Sequence, residues 1–216
     1  MQISLHLFLF IAYNAVMKSG TLYDRDIREP LFEFLEDIYG TIRIIEEKQM
    51  GKSRADAVMV TPNSLYGIEI KSDADTYTRL KRQVKDYDKY FDFNYIVAGT
   101  SHAMHIEEHV PEYWGIITVE TENDRPDFYI LRHPKRNPKA GLQRKLSILW
   151  RTELVHIQTR NKMPAYKQKS KKFVQEKILA KLKEEDLSRE ISMELFERDY
   201  TMIEEEIENY KKKEAV

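Results

Sequence analysis

Asp56, Glu69 and Lys71 are the residues of this sequence best suited to do chemistry together. They fall in two short runs, Ala55 to Val60 (ADAVMV) and Tyr66 to Lys71 (YGIEIK), whose other members are mostly apolar, as in covered strands. Thr61-Pro62-Asn63-Ser64-Leu65 between them has the composition of a turn. If Thr61 and Tyr66 close a four-residue turn, Asp56 comes opposite Lys71 and Val58 opposite Glu69. Strand side chains alternate, so Glu69 and Lys71 share a face, and diagonal neighbours on that face lie within about 7 to 8 Å. Three charges gathered on covered strands are costly unless they pair or hold a metal. Two carboxylates aimed at one point suit a hard divalent cation. Mg²⁺ with several retained waters is the expected ion, Mn²⁺ a substitute, and the Ile70 carbonyl can add a ligand. Lys71 beside it can orient or help deprotonate an activated water and stabilise charge on a phosphoryl oxygen. That chemistry is phosphodiester hydrolysis. The same spacing also fits a buried ion triad with no catalytic role.

The elements that must hold these residues can be read from periodicity. Asp24 can cap a helix running to about Tyr39, with Ile27, Leu31, Phe34, Leu35 and Ile38 on one face, and Gly40 ends it. Thr41 to Ile45 (TIRII) is a short β-branched strand. Asp75 can cap a second helix to about Phe91, with Tyr77, Leu80, Val84, Tyr87 and Phe91 at spacings of three and four. Asn94 to Ala98 is a further strand, Ser101 to Val110 reads as helix, and Gly115 to Val119 and Phe128 to Leu131 as two more strands. Everything after Arg132 reads as loops and helices. The order is helix, three strands, helix, strand, then additions: an α/β core of residues 21–131 carrying a helical extension over residues 132–216.

Composition supports a globular chain. Of 216 residues 42% are hydrophobic and 33% charged, with 7 Gly and 7 Pro, outside the range of disordered or fibrous chains. The absence of Cys excludes a disulfide framework, a thiolate zinc site and a cysteine nucleophile, and a reducing cytoplasm fits it. The net charge of -1 hides a strong asymmetry. Residues 1–131 hold 14 Lys and Arg against 22 Asp and Glu, residues 132–183 hold 16 against 2, and residues 184–216 hold 5 against 12. A basic block of this density suits a polyanion, because each contact with a phosphate releases condensed counterions. Nucleic acid is therefore the leading partner class, and a pair of solvated Lys-rich helices the alternative. Leu5 to Val16 is apolar but too short to cross a bilayer, and no Lys or Arg precedes it. Residues 1–20 are read as an apolar N-terminal segment, with Met17 resembling a natural start; a first helix or strand packed on the core is the other reading. No later stretch is long and apolar enough to span a membrane, so the expectation is a soluble protein without a membrane partner.

Arg54-Ala55-Asp56, the hairpin, Glu69-Ile70-Lys71 and Gln83-Val84-Lys85-Asp86-Tyr87 together resemble the PD-(D/E)XK nuclease superfamily, in the RecB-like branch that carries a Q-x-x-x-Y helix. The resemblance implies a restriction-endonuclease-like fold, with its helix, three-stranded meander, helix and strand in a mixed sheet. It implies metal binding by Asp56 and Glu69, a catalytic lysine in Lys71, and auxiliary roles for Gln83 and Tyr87. Arg79, Gln83 and Tyr87 fall at i, i+4 and i+8, one stripe of a helix. Without the resemblance, Gln83 and Tyr87 would read as a surface amide and a core aromatic. Lys71-Ser72-Asp73, Arg79-Leu80, Trp114-Gly115, Asn137-Pro138-Lys139 and Leu149-Trp150-Arg151 extend the likeness, over about residues 21–200, to a little-characterised bacterial and phage family of that type. Ala55 stands where the "PD" proline would be. The first-helix acid has no unique match among Glu29, Glu33, Glu36, Glu46 and Glu47.

The expectation is thus a Mg²⁺-dependent deoxyribonuclease in which Arg54 and Arg79 help fix the phosphate and the basic half of the extension grips DNA. Replacing Asp56 or Lys71 by Ala should abolish cleavage and leave folding intact. A non-catalytic nucleic-acid-binding module that keeps the fold is the alternative, and a protein-binding helical adaptor a third. A homodimer follows only by analogy with cores that pair to cut both strands. Internal or end cleavage, and repair, restriction or phage roles, stay open. His102, His105 and His109 share one helix face and could bind a transition metal, although a solvated helix is the commoner outcome. Trp150 lies among Leu142, Leu146, Leu149 and Leu154 at helical spacing, a core pattern more than a stacking platform.

Overall fold

The computed structural model describes residues 22–122 and 125–198. The apolar segment 1–20 and the end of the acidic segment, 199–216, lie outside the described residues. The chain runs α1 (Asp24–Tyr39), β1 (Arg43–Met50), β2 (Ser53–Thr61), β3 (Ser64–Lys71), a 3₁₀ turn (Tyr77–Arg79) leading into α2 (Leu80–Tyr90), and β4 (Phe93–Gly99). It continues through α3 (Thr100–Ala103), a 3₁₀ turn (Ile106–Glu108), β5 (Gly115–Glu122) and β6 (Arg125–Arg132). Four more helices follow: α4 (Leu142–Ser147), α5 (Arg151–Arg160), α6 (Lys171–Lys181) and α7 (Glu184–Phe196).

The six strands form one mixed sheet in sequence order. β1 to β3 are an antiparallel meander, β3, β4 and β5 are parallel, and β6 returns antiparallel to β5. Parallel neighbours need covered faces, which is why β4 reads as a nearly continuous apolar run. α1 lays Ile27, Leu31 and Leu35 against Ala57, Met59, Ile68, Ile70 and Val97 on one face. The other face is covered by α2 and by the C-terminal helices. Leu146, Leu154, Ile157, Val174, Ile178 and Leu187 share an unbroken apolar cluster with Val58, Ile96 and Ile116 of the sheet.

α2 crosses β3 closely because Gly67 offers no side chain. A Cβ there would lie 2.2 Å from Phe91 Cδ2 and 2.6 Å from Tyr87 Cδ1. Gly67→Ala is therefore expected to cost about 2 kcal/mol through overpacking, read as a lower urea midpoint with an unchanged slope. The C-terminal end of α2 is held by Asp88. Its buried carboxylate accepts from Trp114 Nε1 (3.0 Å), Tyr113 Oη (2.6 Å) and Lys139 Nζ (3.1 Å). Asn137 Nδ2 donates to the carbonyl oxygens of Asp88 and Phe91 at 2.9 and 2.8 Å. The Trp114-Gly115 and Asn137-Pro138-Lys139 motifs thus fix the helix that carries Gln83 and Tyr87.

Several local expectations are corrected. The hairpin turn has two residues, Pro62 and Asn63, closed by Thr61 against Ser64. Val58 consequently pairs with Gly67, and Asp56 comes across from Glu69, not Lys71. A slip of two residues preserves faces, so the three charged residues still meet. β1 starts at Arg43 and runs to Met50, past the β-branched run. Asp24 does not cap α1; Asp26 accepts from the Tyr23 N–H at 3.2 Å. Asp75 closes a turn onto Ser72 N (2.9 Å), and α2 begins only at Leu80. Residues 101–110 form a short helix and a 3₁₀ turn in place of one helix.

Candidate active site

The sheet opens at Asp56. The β2–β3 pairing ends at Ala57 and Ile68, and the β1–β2 pairing passes from Glu46–Ala57 to Lys48–Ala55 without a Glu47–Asp56 pair. Glu47 has φ +53°, a left-handed conformation disfavoured for a residue with a Cβ. Asp56 is held by other partners. Its N–H donates to Tyr87 Oη at 3.3 Å, its carbonyl accepts from Arg28 Nη1 at 3.1 Å, and its Oδ2 accepts from Ile70 N at 2.8 Å.

Glu69 is fully buried. Its Oε1 accepts from Lys71 Nζ and from Gln83 Nε2, and its Oε2 accepts from Tyr87 Oη at 2.7 Å. Tyr87 Oη also lies 3.0 Å from the Ile68 carbonyl oxygen. Gln83 and Tyr87 reach Glu69 because they are four apart on the inner face of α2, and Lys71 because it is two along on β3. The structure therefore brings Asp56, Glu69, Lys71, Gln83 and Tyr87 together. Ile70 packs its side chain on the opposite face, while its main chain passes between Asp56 and Lys71.

The electrostatics leave the site short of positive charge. Burial, then the nearby Glu69 carboxylate, raises Asp56 to about 7. Burial likewise raises Glu69, against the opposing pull of Lys71. Burial beside these two acids holds the Tyr87 phenol well above its usual range. Within the group two carboxylates face one ammonium, that of Lys71. Among the described residues the one ion-pair contact of Asp56 is Arg28 Nη2, at 3.9 Å from Oδ1. Gln83 Oε1 is buried without a hydrogen-bond partner among the described residues. A divalent cation fits this donor set: two largely desolvated carboxylates, the main chain of β3 at Ile70 and space for retained waters. It would be a small set, since no group of three or more His, Asp or Glu side chains is arranged to hold a metal among the described residues.

The site lies in an open cleft of about 520 Å³. Arg28, Lys52, Arg54, Arg79 and Arg82 line it with Lys71. Arg54 and Arg79 are exposed at its margin, and Arg54 pairs with Glu47 at 2.5 Å. Of the five first-acid candidates, Glu47 lines the cleft; Glu29, Glu33 and Glu36 are exposed elsewhere on α1, and Glu46 pairs with Arg28 at 3.0 Å. Arg28 was not anticipated. It also pairs with Asp24 at 2.6 Å and Glu47 at 2.8 Å. Burial disfavours its charge, and the hydrogen bonds with Asp24 and Glu46 outweigh that and hold it charged. The i, i+4 spacing of Asp24 and Arg28 was the available signal; nothing in the sequence marks the left-handed turn at Glu47.

The histidines take other positions. Tyr77 lies between His102 and His109, with ring centroids 4.8 and 4.0 Å away, and His105 faces Glu108 at 3.2 Å. Trp150 is half-buried, with the Arg198 guanidinium 3.8 Å from its ring centre. No helix among the described residues is long and apolar enough to cross a membrane.

Residues 17–215 match the model of the family described as bacteriophage P4 protein cII. No curated protein matches the chain. Among solved structures, that of Pyrococcus furiosus SfsA in complex with Ca²⁺ is similar to 49% of this chain, at 14% identity and a TM-score of 0.30. The chain spans 59% of the length of that protein.

Proposed function

We propose that this chain, which belongs to the bacteriophage P4 protein cII family, is a divalent-metal-dependent nuclease that hydrolyses phosphodiester bonds in DNA. One observation carries the reading. A fully buried glutamate, bonded to a lysine, an amide and a phenol, faces a second desolvated carboxylate at the floor of a cleft rimmed with arginines. A buried carboxylate with a second, largely desolvated one beside it is unfavourable for folding alone, and suits a site that receives a cation.

Asp56, Glu69 and the Ile70 carbonyl would hold Mg²⁺ or Mn²⁺. The ion, when bound, would acidify a water and neutralise charge on a phosphoryl oxygen. Lys71 Nζ, fixed by Glu69, can orient the attacking water and donate to an oxygen of the phosphate as charge builds there. Gln83 Oε1, which has no hydrogen-bond partner among the described residues, can accept from that water. Tyr87 fixes both acids, through the Glu69 carboxylate and the Asp56 N–H. Arg54 and Arg79 can engage flanking phosphates, with Lys52 and Arg82 beside them.

The test is incubation of the protein with labelled single-stranded, duplex and branched DNAs and RNA in Mg²⁺ or Mn²⁺, beside Lys71→Ala. The expected result is metal-dependent cleavage of at least one DNA by wild type alone. Binding without cleavage of any substrate would replace the nuclease by a non-catalytic binding module.

A further inference from the structure

Lys48 turns away from the cleft carboxylates toward the C-terminal helices. The irregularity at Glu47 puts it on the same side of the sheet as Ile45, although the two are three apart. Its Nζ lies 5.9 Å from the centre of the Trp150 ring. Lys171, at the start of α6, donates to the Ser147 carbonyl oxygen at 3.1 Å. The neighbouring carboxylate, Glu153, is already engaged with Arg198 at 2.6 and 2.7 Å. Neither Lys48 nor Lys171 has an ion-pair partner among the described residues. Burial, reinforced by Arg198 and Lys171, lowers Lys48 to about 8. Burial lowers Lys171 as well, with Glu153 opposing it and Arg198 adding to it. Crowding cations in this way costs the fold stability, and a bound anion between them would offset that cost.

We propose that Lys48 and Lys171, on the Trp150 side of β1, form a second phosphate-contacting notch that holds the backbone of bound DNA beyond the hydrolytic cleft. The proposal rests on the nuclease reading for its ligand. Two features favour a DNA backbone over a free anion. Lys48 follows Glu47 directly, and Gln49 and Lys52 of the same hairpin line the cleft, so one strand could meet both places. Lys171 also belongs to the basic block, among Lys167, Lys169 and Lys172.

The test is binding of a fluorescent DNA duplex, by anisotropy in EDTA across a salt series, for wild type and for Lys48→Gln/Lys171→Gln. Losing one phosphate contact should weaken binding about tenfold at low salt and reduce the slope of log K against log salt by about 0.9. The same variant should melt at or above the wild-type temperature, because like-charge crowding is relieved. Lys48→Arg/Lys171→Arg should keep the wild-type slope, which separates a charge contact from a packing defect. Unchanged affinity and slope in the Gln variant, with wild type binding normally, would overturn the notch and leave the cleft reading intact. Absence of DNA binding by wild type would overturn both.

Discussion

Asp56→Asn is expected to stabilise the metal-free protein by about 2 kcal/mol at pH 8 while abolishing DNA cleavage. Burial and Glu69 raise the folded-state value of Asp56 to about 7, whereas an unfolded Asp titrates near about 4. A carboxyl group raised in this direction contributes its stability below the unfolded value and loses it as pH climbs to the folded one. Metal-free wild type should therefore lose stability between about pH 4 and pH 7. Three units correspond to about 4 kcal/mol, and the residual exposure of Asp56 roughly halves that. Asn can still accept from Ile70 N, so the variant should show a flatter pH profile. Mg²⁺ should restabilise wild type and not the variant, by the usual linkage between binding and folding. Urea denaturation at pH 5 and pH 8, with EDTA or Mg²⁺, reads all four values. A structural ion triad predicts the opposite sign, with the Asn variant less stable at pH 8.

Lys71→Ala should lower single-turnover cleavage by at least about 10³-fold, and it should also cost about 3 kcal/mol of stability. The second effect revises the expectation that folding would be untouched. Lys71 is 4% exposed, and its Nζ bonds the fully buried Glu69 carboxylate, so truncation leaves that charge without the one ammonium paired with it among the described residues. Adding Glu69→Gln to Lys71→Ala should recover most of the stability and none of the activity. Urea curves beside cleavage time courses separate the two losses.

The strands and their order along the chain were legible because they are short apolar runs punctuated by turns, and α1 because its apolar spacing is regular; the mixed sheet was implied by the family resemblance. The convergence of Asp56, Glu69 and Lys71 was legible for a narrower reason: a register error of two residues leaves every side chain on its own face. The pairing of Asp56 with Lys71 failed because Pro62 and Asn63 make a two-residue turn, which brings Ser64 and Leu65 into β3 and slides that strand two residues along β2. The start of α2 was hidden because Asp75 bonds back to Ser72. Ser, Asp and Asn offer the same acceptor to turns and caps, and sequence does not choose between them. The Glu47 turn was invisible, and Arg28 was marked only by its spacing from Asp24, for another reason. They depend on tertiary contacts that gather Asp24, Glu46, Glu47 and Asp56 around one guanidinium. The histidine stripe failed because residues 101–110 do not form one helix, and Tyr77 packs between two of its members.

Asp56 and Glu69 are proposed to form a cation site at the floor of the cleft. Calorimetric titration of Mn²⁺ into metal-free protein at pH 7.5 tests it most directly, with wild type, Asp56→Asn and Glu69→Gln side by side. The account predicts saturable binding to wild type, accompanied by proton release from Asp56, and no measurable site in either variant. Equal binding by all three proteins, or none by wild type, would contradict it.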